Sequence, residues 1–285
     1  YELLDSIIEL TSDLQKGTYR YGVYAHMIVN DNKRRDIAVA TVRDRVAHRL
    51  LYDYLVPIWD KTLIYDAWSC CKNKGLHAAI DRAQLFMRKY PDSWLWRADI
   101  TKLFDSVEKV KMKQLLRRRI KDPTAIWLLD EVLDSYHSFE QDRGILIGNL
   151  TSQIFANIYL NEFDRFVSHE LRPSAYLRYG DDWLCFTDNK AELADMISSG
   201  KEFMDKEVGL SLNNKINLVL PVRKGVSYLG VDLWSNGRRI DNDAVIKMKN
   251  NLSLGNVSSY KSFIDKHESP KKIARFEWVV SDLMQ

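Results

Sequence analysis

The stretch that most restricts the fold is AYLRYGDDWLCFT, residues 175–187. Two short segments of alternating aromatic and aliphatic residues flank Gly180-Asp181-Asp182. That pattern describes an antiparallel hairpin with a tight polar turn. Two adjacent carboxylates repel, so the turn needs a counter-charge or bound cations. Taken alone, Gly-Asp-Asp is a solvent-exposed polar turn; its meaning depends on what the rest of the chain brings to it.

A second strand lies upstream. In SWLWRADI (93–100), Trp94, Trp96, Ala98 and Ile100 alternate with Leu95, Arg97 and Asp99, the period-2 signature of a strand. Asp99 ends it. In a small antiparallel sheet, a strand end and a hairpin turn are natural neighbours. Asp99, Asp181 and Asp182 are therefore expected to converge. Two divalent metals about 3.5–4 Å apart would neutralise such a set and clamp both oxygens of an in-line phosphoryl displacement. Mg²⁺ suits a site of a few carboxylates completed by substrate phosphates.

The remaining chain supplies helices and further strands. TVRDRVAHRLLYDYLVP (41–57) sets Val42, Val46, Leu50 and Tyr54 at helical spacing, with Pro57 as the stop. Helices are also expected over 76–90, 106–120 and 123–139. Thr151 or Ser152 caps another that runs to Leu171. Asn189 and Glu192 form a capping box for 190–208. Strands follow at 216–220 and 226–234, a turn at 235–239, and lysine-rich helices from Ile240 onward. The order predicts an α+β fold, with helices on one face of an antiparallel sheet, compatible with a βαββαβ ferredoxin-like arrangement.

Composition narrows the class. The 285 residues are 46% hydrophobic without low-complexity tracts, so the chain should bury a sizeable core. No apolar run approaches the roughly 18–20 residues that span a bilayer, and no secretory signal opens the chain. Its first residue is Tyr1, not Met, as expected of a fragment or a renumbered chain. Three cysteines, Cys70, Cys71 and Cys185, argue against a disulfide framework and for a reducing cytosol. There is no CxxC, HxxxH, GxxxxGK[ST], GxSxG or GxGxxG. Net charge is only +3, but basic residues cluster at 33–49, 111–121 and 215–239. Each cluster could be a solvated face; three on a balanced chain suggest a track for a polyanion.

Together these residues resemble reverse transcriptases. Tyr179-Gly180-Asp181-Asp182 resembles their YxDD box, and ADITKLFDS (98–106) the upstream motif of an Asp followed five positions later by an aromatic. GILIGNLTSQIFANIYLNEFD (144–164), LNNKINLV (212–219), SYLGV (227–231) and KRRDIAVATVRDRVAH (33–48) resemble the next motif, the lysine segment, the primer grip and the nucleotide-binding fingers. The resemblance runs in order from about 15 to 235. It implies a right-hand polymerase fold: fingers over 1–95 with contributions from 106–145, a palm over 96–239, and a partial thumb over 240–285.

It also implies roles. Asp99 and Asp181 ligate two Mg²⁺ ions, with Asp182 assisting, and Lys215 acts as general acid toward departing pyrophosphate. Lys33 and Arg35 grip the triphosphate. Phe104 sits under the sugar and excludes a 2′-hydroxyl, so the substrate is a dNTP. Ile147, Gly148, Gln153 and Tyr179 complete the substrate site. Where most relatives have QGxxxSP, this chain has Ile147-Gly148-Asn149-Leu150-Thr151-Ser152-Gln153, similar to enzymes of diversity-generating retroelements, which make error-prone cDNA from a template-repeat RNA. Implied partners are template RNA, a DNA or RNA primer, dNTPs and a small basic oligomeric accessory protein, in the cytoplasm of a bacterium or archaeon or encoded by a phage, with no membrane. The departures are Gly180 and the short helical tail. The alternatives are a group II intron-like or defence-associated reverse transcriptase, a non-catalytic maturase-type RNA binder, and an RNA polymerase, the last opposed by Phe104.

Overall fold

The computed structural model describes residues 2–30, 34–136 and 142–283. In chain order these form α1 (Glu2–Lys16), the hairpin β1 (Ala25–Asn30) and β2 (Arg34–Val39), α2 (Val42–Trp59) and α3 (Leu76–Lys89). Next come β3 (Trp94–Ile100), α4 (Leu103–Ser106), α5 (Lys109–Arg119), α6 (Pro123–Asp134) and α7 (Leu150–Phe166). The hairpin β4 (Ala175–Tyr179) and β5 (Asp182–Thr187) follows, then α8 (Lys190–Phe203), β6 (Leu212–Pro221), β7 (Val226–Tyr228), β8 (Val231–Trp234), β9 (Gly237–Ile240), α9 (Asn242–Asn251), α10 (Val257–His267) and α11 (Pro270–Leu283).

The central sheet is antiparallel throughout, in the order β4-β5-β3-β6. Alternation along β3 and β5 divides its side chains between two cores. Trp96, Ala98, Ile100, Trp183 and Cys185 pack with α7 and Leu193 of α8. Leu95, Leu184 and Phe186 pack with α3 and the separate sheet β7-β8-β9. Both faces are thus covered, against the expected one, because α3 and the second sheet also carry apolar faces that need burial.

Several other expectations shift. Pro57 does not stop α2, which runs on to Trp59. The series Val42, Val46, Leu50 and Tyr54 faces solvent, whereas Ala47, His48, Leu51, Leu55 and Trp59 are buried. Helix α7 is capped at Asn149, not at Thr151 or Ser152, and continues as a π-helical turn through Val167–Leu171. Twelve of its seventeen residues are buried, so it is a central core helix. The helix expected over 106–120 is α5, shorter at Lys109–Arg119, with Ser106 ending the separate short helix α4. The strand expected over 226–234 breaks at Leu229 and Gly230, both at positive φ (52° and 80°), which form a tight hairpin turn. Helices over 76–90 and 190–208, the catalytic hairpin and the helical tail stand as read. Residues 137–139 of the expected helix lie outside the described residues.

Part of two basic clusters is neutralised by acidic partners. Lys113 pairs with Asp134, Arg117 with Asp130, Arg118 with Glu162, Arg238 with Asp81 and Arg239 with Asp232. These pairs make the 113–118 and 238–239 parts of the proposed polyanion track ordinary solvated faces.

Candidate active site

Register brings the carboxylates together. Asp99 on β3 lies opposite Asp182 on β5. The Ile100 amide donates to the Asp181 carbonyl at 3.2 Å, tying the strand end to the turn. Gly180 takes φ +63°, the left-handed conformation that this turn requires and glycine adopts without strain. Asp181 is half-buried, and its carboxyl is pushed up to about 6, first by burial and then by the charge of Asp99. That is the signature of two carboxylates sharing a confined space.

Asp182 is arranged differently. Its Oδ1 and Oδ2 accept from Arg97 Nε (3.1 Å) and Nη2 (2.7 Å). Burial pushes its pKa above the usual carboxylate range, while the Arg97 pair opposes the rise. Among the described residues, no group of three or more His, Cys, Asp or Glu side chains is placed to hold a metal ion. Asp182 thus gives both carboxylate oxygens to a guanidinium while lying opposite Asp99 in the ladder. Asp99 and Asp181, an all-oxygen pair under mutual repulsion, still fit a hard divalent cation completed by phosphate oxygens.

Opposite Asp99 the ladder is interrupted. Pairing jumps from Ala98↔Asn217 to Ile100↔Leu212, so residues 213–216 bulge past a single residue of β3. Bulges of this kind re-aim side chains beside active sites. Asn213 Nδ2 donates to Asp99 Oδ1 at 3.0 Å. Lys215 is exposed in the same bulge, its amide donating to Asn213 Oδ1 at 3.1 Å.

The other expected residues fall around this centre to different degrees. Phe104 is half-buried on α4, and its carbonyl accepts from the Ile145 amide at 2.8 Å, which draws the 145–149 loop beside Asp99's strand. Ile147 is half-buried in that loop. Gly148 has φ +101°, and a Cβ there would lie 3.2 Å from Ile37 Cγ2 on β2, so the loop meets the β1–β2 hairpin closely. Gln153 is exposed on the first turn of α7, and Tyr179 is half-buried at the end of β4. Arg35 lies on β2 opposite Val29; its side chain, and all of Lys33, lie outside the described residues.

Sequence reading missed the support beneath the turn. Arg178 is fully buried and donates to both oxygens of Asp164 on α7 (2.8 and 2.7 Å), to the Gly180 carbonyl (2.8 Å) and to Asn157 Oδ1 (3.2 Å). Tyr176 adds a hydrogen bond to Asp164 at 2.8 Å. A charge within an apolar strand was the available signal, since buried charges demand partners. A second support holds the loop. His48 Nδ1 lies 2.7 Å from Thr151 Oγ1, and its Nε2 lies 2.5 Å from the Tyr21 hydroxyl.

This sheet, its carboxylate-bearing turn and the flanking helices define the class: a right-hand polymerase fold. The chain belongs to the reverse transcriptase family, whose model, described as "Reverse transcriptase (RNA-dependent DNA polymerase)", matches residues 26–233. It is similar to Protein YkfC of Escherichia coli K12, 23% identical over 70% of this chain and 63% of that one. It is also similar to the group II intron-encoded protein LtrA of Lactococcus lactis, 23% identical over 57% of this chain and 28% of that one. Among solved structures it resembles a telomerase of Candida albicans, solved with a fragment of telomeric RNA, at TM-score 0.59 and 12% identity, covering 88% of this chain and 50% of that one. The chain thus spans less than two thirds of these relatives. No helix among the described residues is long and apolar enough to cross a membrane.

Proposed function

We propose that this chain is an RNA-directed DNA polymerase whose reaction centre is the Asp99–Asp181 pair. The observation that carries the reading is the placement of Asp99 beside the Asp181 turn by the β3–β5 register and the Ile100–Asp181 hydrogen bond, where burial and the Asp99 charge raise the Asp181 carboxyl, within a fold whose family model covers most of the chain. Two divalent cations bound there would neutralise the carboxylates and stabilise the attacking and leaving oxygens of nucleotidyl transfer. The chain's own residues would position the substrates, which is most of what phosphoryl transfer asks of a protein. Asn213 orients Asp99. Lys215 is available in the bulge to protonate pyrophosphate. Phe104, held half-buried by the core, would stack under a deoxyribose. Gly148 admits the incoming nucleotide close to the loop backbone, and Ile147, Gln153 and Tyr179 flank it. Lys33 and Arg35 would meet the triphosphate from the β1–β2 hairpin. The fingers then comprise 1–95, the palm 96–239 and the partial thumb 240–285. Template RNA, a primer and dNTPs are the substrates.

The finer reading is an enzyme of a diversity-generating retroelement, working with a small basic accessory protein in the cytoplasm. Ile147 supports it, because its apolar side chain offers no hydrogen bond where most of the family has Gln. Base selection would loosen accordingly. Sequencing cDNA copied from an adenine-containing RNA template tests this. Errors should concentrate opposite adenines and fall in Ile147→Gln; an unchanged error spectrum would refute the assignment. The similarity to an intron-encoded protein favours a group II intron-type enzyme as the second reading, for which copying would be accurate from the outset.

A further inference from the structure

Arg97 stands two residues before Asp99 on β3 and faces the same side of the sheet. Its bidentate contact with Asp182 is enclosed: the two side chains are 14% and 12% exposed. The remaining nitrogen, Nη1, donates to the Ser227 carbonyl on β7. The guanidinium lies 5.8 Å from the centre of the Tyr228 ring, and the Tyr228 hydroxyl donates to the Asp182 carbonyl at 3.4 Å. One side chain on β3 thereby grips β5 at the catalytic turn and β7 in the second sheet. The two sheets share no ladder, so this polar bridge fixes their relative register in a way apolar packing, which is non-directional, does not.

We propose that Arg97 is a positioning residue that couples the 226–234 sheet to the catalytic turn, with Asp182 serving as its anchor. The functional part rests on the polymerase reading, in which the 227–231 hairpin supports the primer. A shift of the primer at Ser227 is then transmitted through a rigid guanidinium to the residue next to Asp181. A planar fork with five donors is needed to reach two oxygens and a carbonyl in fixed directions; a lysine ammonium cannot reproduce it.

Hydrogen–deuterium exchange on the whole chain tests the coupling without requiring activity. The double variant Arg97→Met/Asp182→Asn leaves no unpaired buried charge and is expected to fold. Its amides at 180–183 and 226–228 should both exchange at least tenfold faster, with 94–96 and 184–186 unchanged. Unchanged exchange at 226–228 would overturn the proposal. In primer extension, Arg97→Lys, which keeps Asp182, should raise the KM for primer–template severalfold while leaving the dNTP KM within twofold. Full activity in Arg97→Lys would equally overturn it. A wild-type chain that extends no primer would sink the polymerase reading instead, and the exchange result would still decide whether the coupling exists.

Discussion

The buried Arg178 guanidinium binds both carboxylate oxygens of Asp164 and, with a third donor contact, the carbonyl of Gly180 in the catalytic turn. The side chains are 1% and 0% exposed. Removing one partner would strand a charge in the core, whereas removing both leaves none. Asp164→Asn or Arg178→Met should each cost about 3–5 kcal/mol in denaturant unfolding. The double variant Asp164→Leu/Arg178→Met should cost less than the sum of the singles. Additive losses would show that the pair is not a unit.

Asp181 makes the site a source of instability. Its carboxyl is raised to about 6 in the folded chain, against about 3.9 in an unfolded one. The folded state therefore holds the proton more tightly. This contribution to stability is present below about pH 4 and lost as pH rises through 6. Asp181→Asn should stabilise the metal-free protein by on the order of 2 kcal/mol at pH 8 and by nothing near pH 4. Mg²⁺ should raise the melting temperature of the wild type at pH 8 and raise that of Asp181→Asn less. Equal stability of the two proteins at pH 8 would contradict this.

Two histidines act in the opposite direction over the same pH range. His48 and His267 are buried, and burial lowers each to about 4; for His267, Arg238 and His77 push the same way. Each favours the folded state above about 6.5, the unfolded value, and that contribution is lost as pH falls toward 4. Wild-type stability should fall between pH 6.5 and 4, because the gain from the single Asp181 carboxyl offsets less than half of the loss from the two histidines. Asp181→Asn should expose a steep acid loss, and His48→Gln should flatten it, in denaturation curves recorded across the range.

Gly148 is constrained from two sides, by φ +101° and by Ile37. Gly148→Ala should destabilise the fold by about 1–3 kcal/mol through backbone strain. Because the loop meets β2, the dNTP KM should rise more than kcat falls. Removing the contacting methyl in Gly148→Ala/Ile37→Ala should relieve the crowding but not the backbone strain. Steady-state kinetics with both variants checks this.

Local patterns in the sequence revealed the catalytic hairpin, the strand carrying Asp99 and most helices, because period and turn chemistry are encoded in neighbouring residues. Facing was harder to read. On α2, the regular series Val42, Val46, Leu50 and Tyr54 points to solvent, while the buried face includes Asp44 and His48, whose polarity hides it from a hydrophobic pattern. Those two residues are buried because Tyr19, Thr41 and Thr151 satisfy them, and these partners lie as far as 103 residues away. Arg97 and Arg178 were invisible as supports for the same reason: a buried charge shows in sequence, but its partner does not. The pairing of Asp182 with Arg97 escaped notice likewise, since it depends on the residue two positions before Asp99 facing the same side of the sheet.

The central claim is that Asp99 and Asp181 carry out RNA-templated DNA synthesis. The most direct measurement is primer extension on an RNA template with dNTPs and Mg²⁺, comparing the wild-type chain with Asp181→Asn, both shown folded by thermal melting. The account predicts extension by the wild type and at least a thousandfold loss in the variant, on the order of 4 kcal/mol of transition-state stabilisation. Equal extension by both proteins would contradict it.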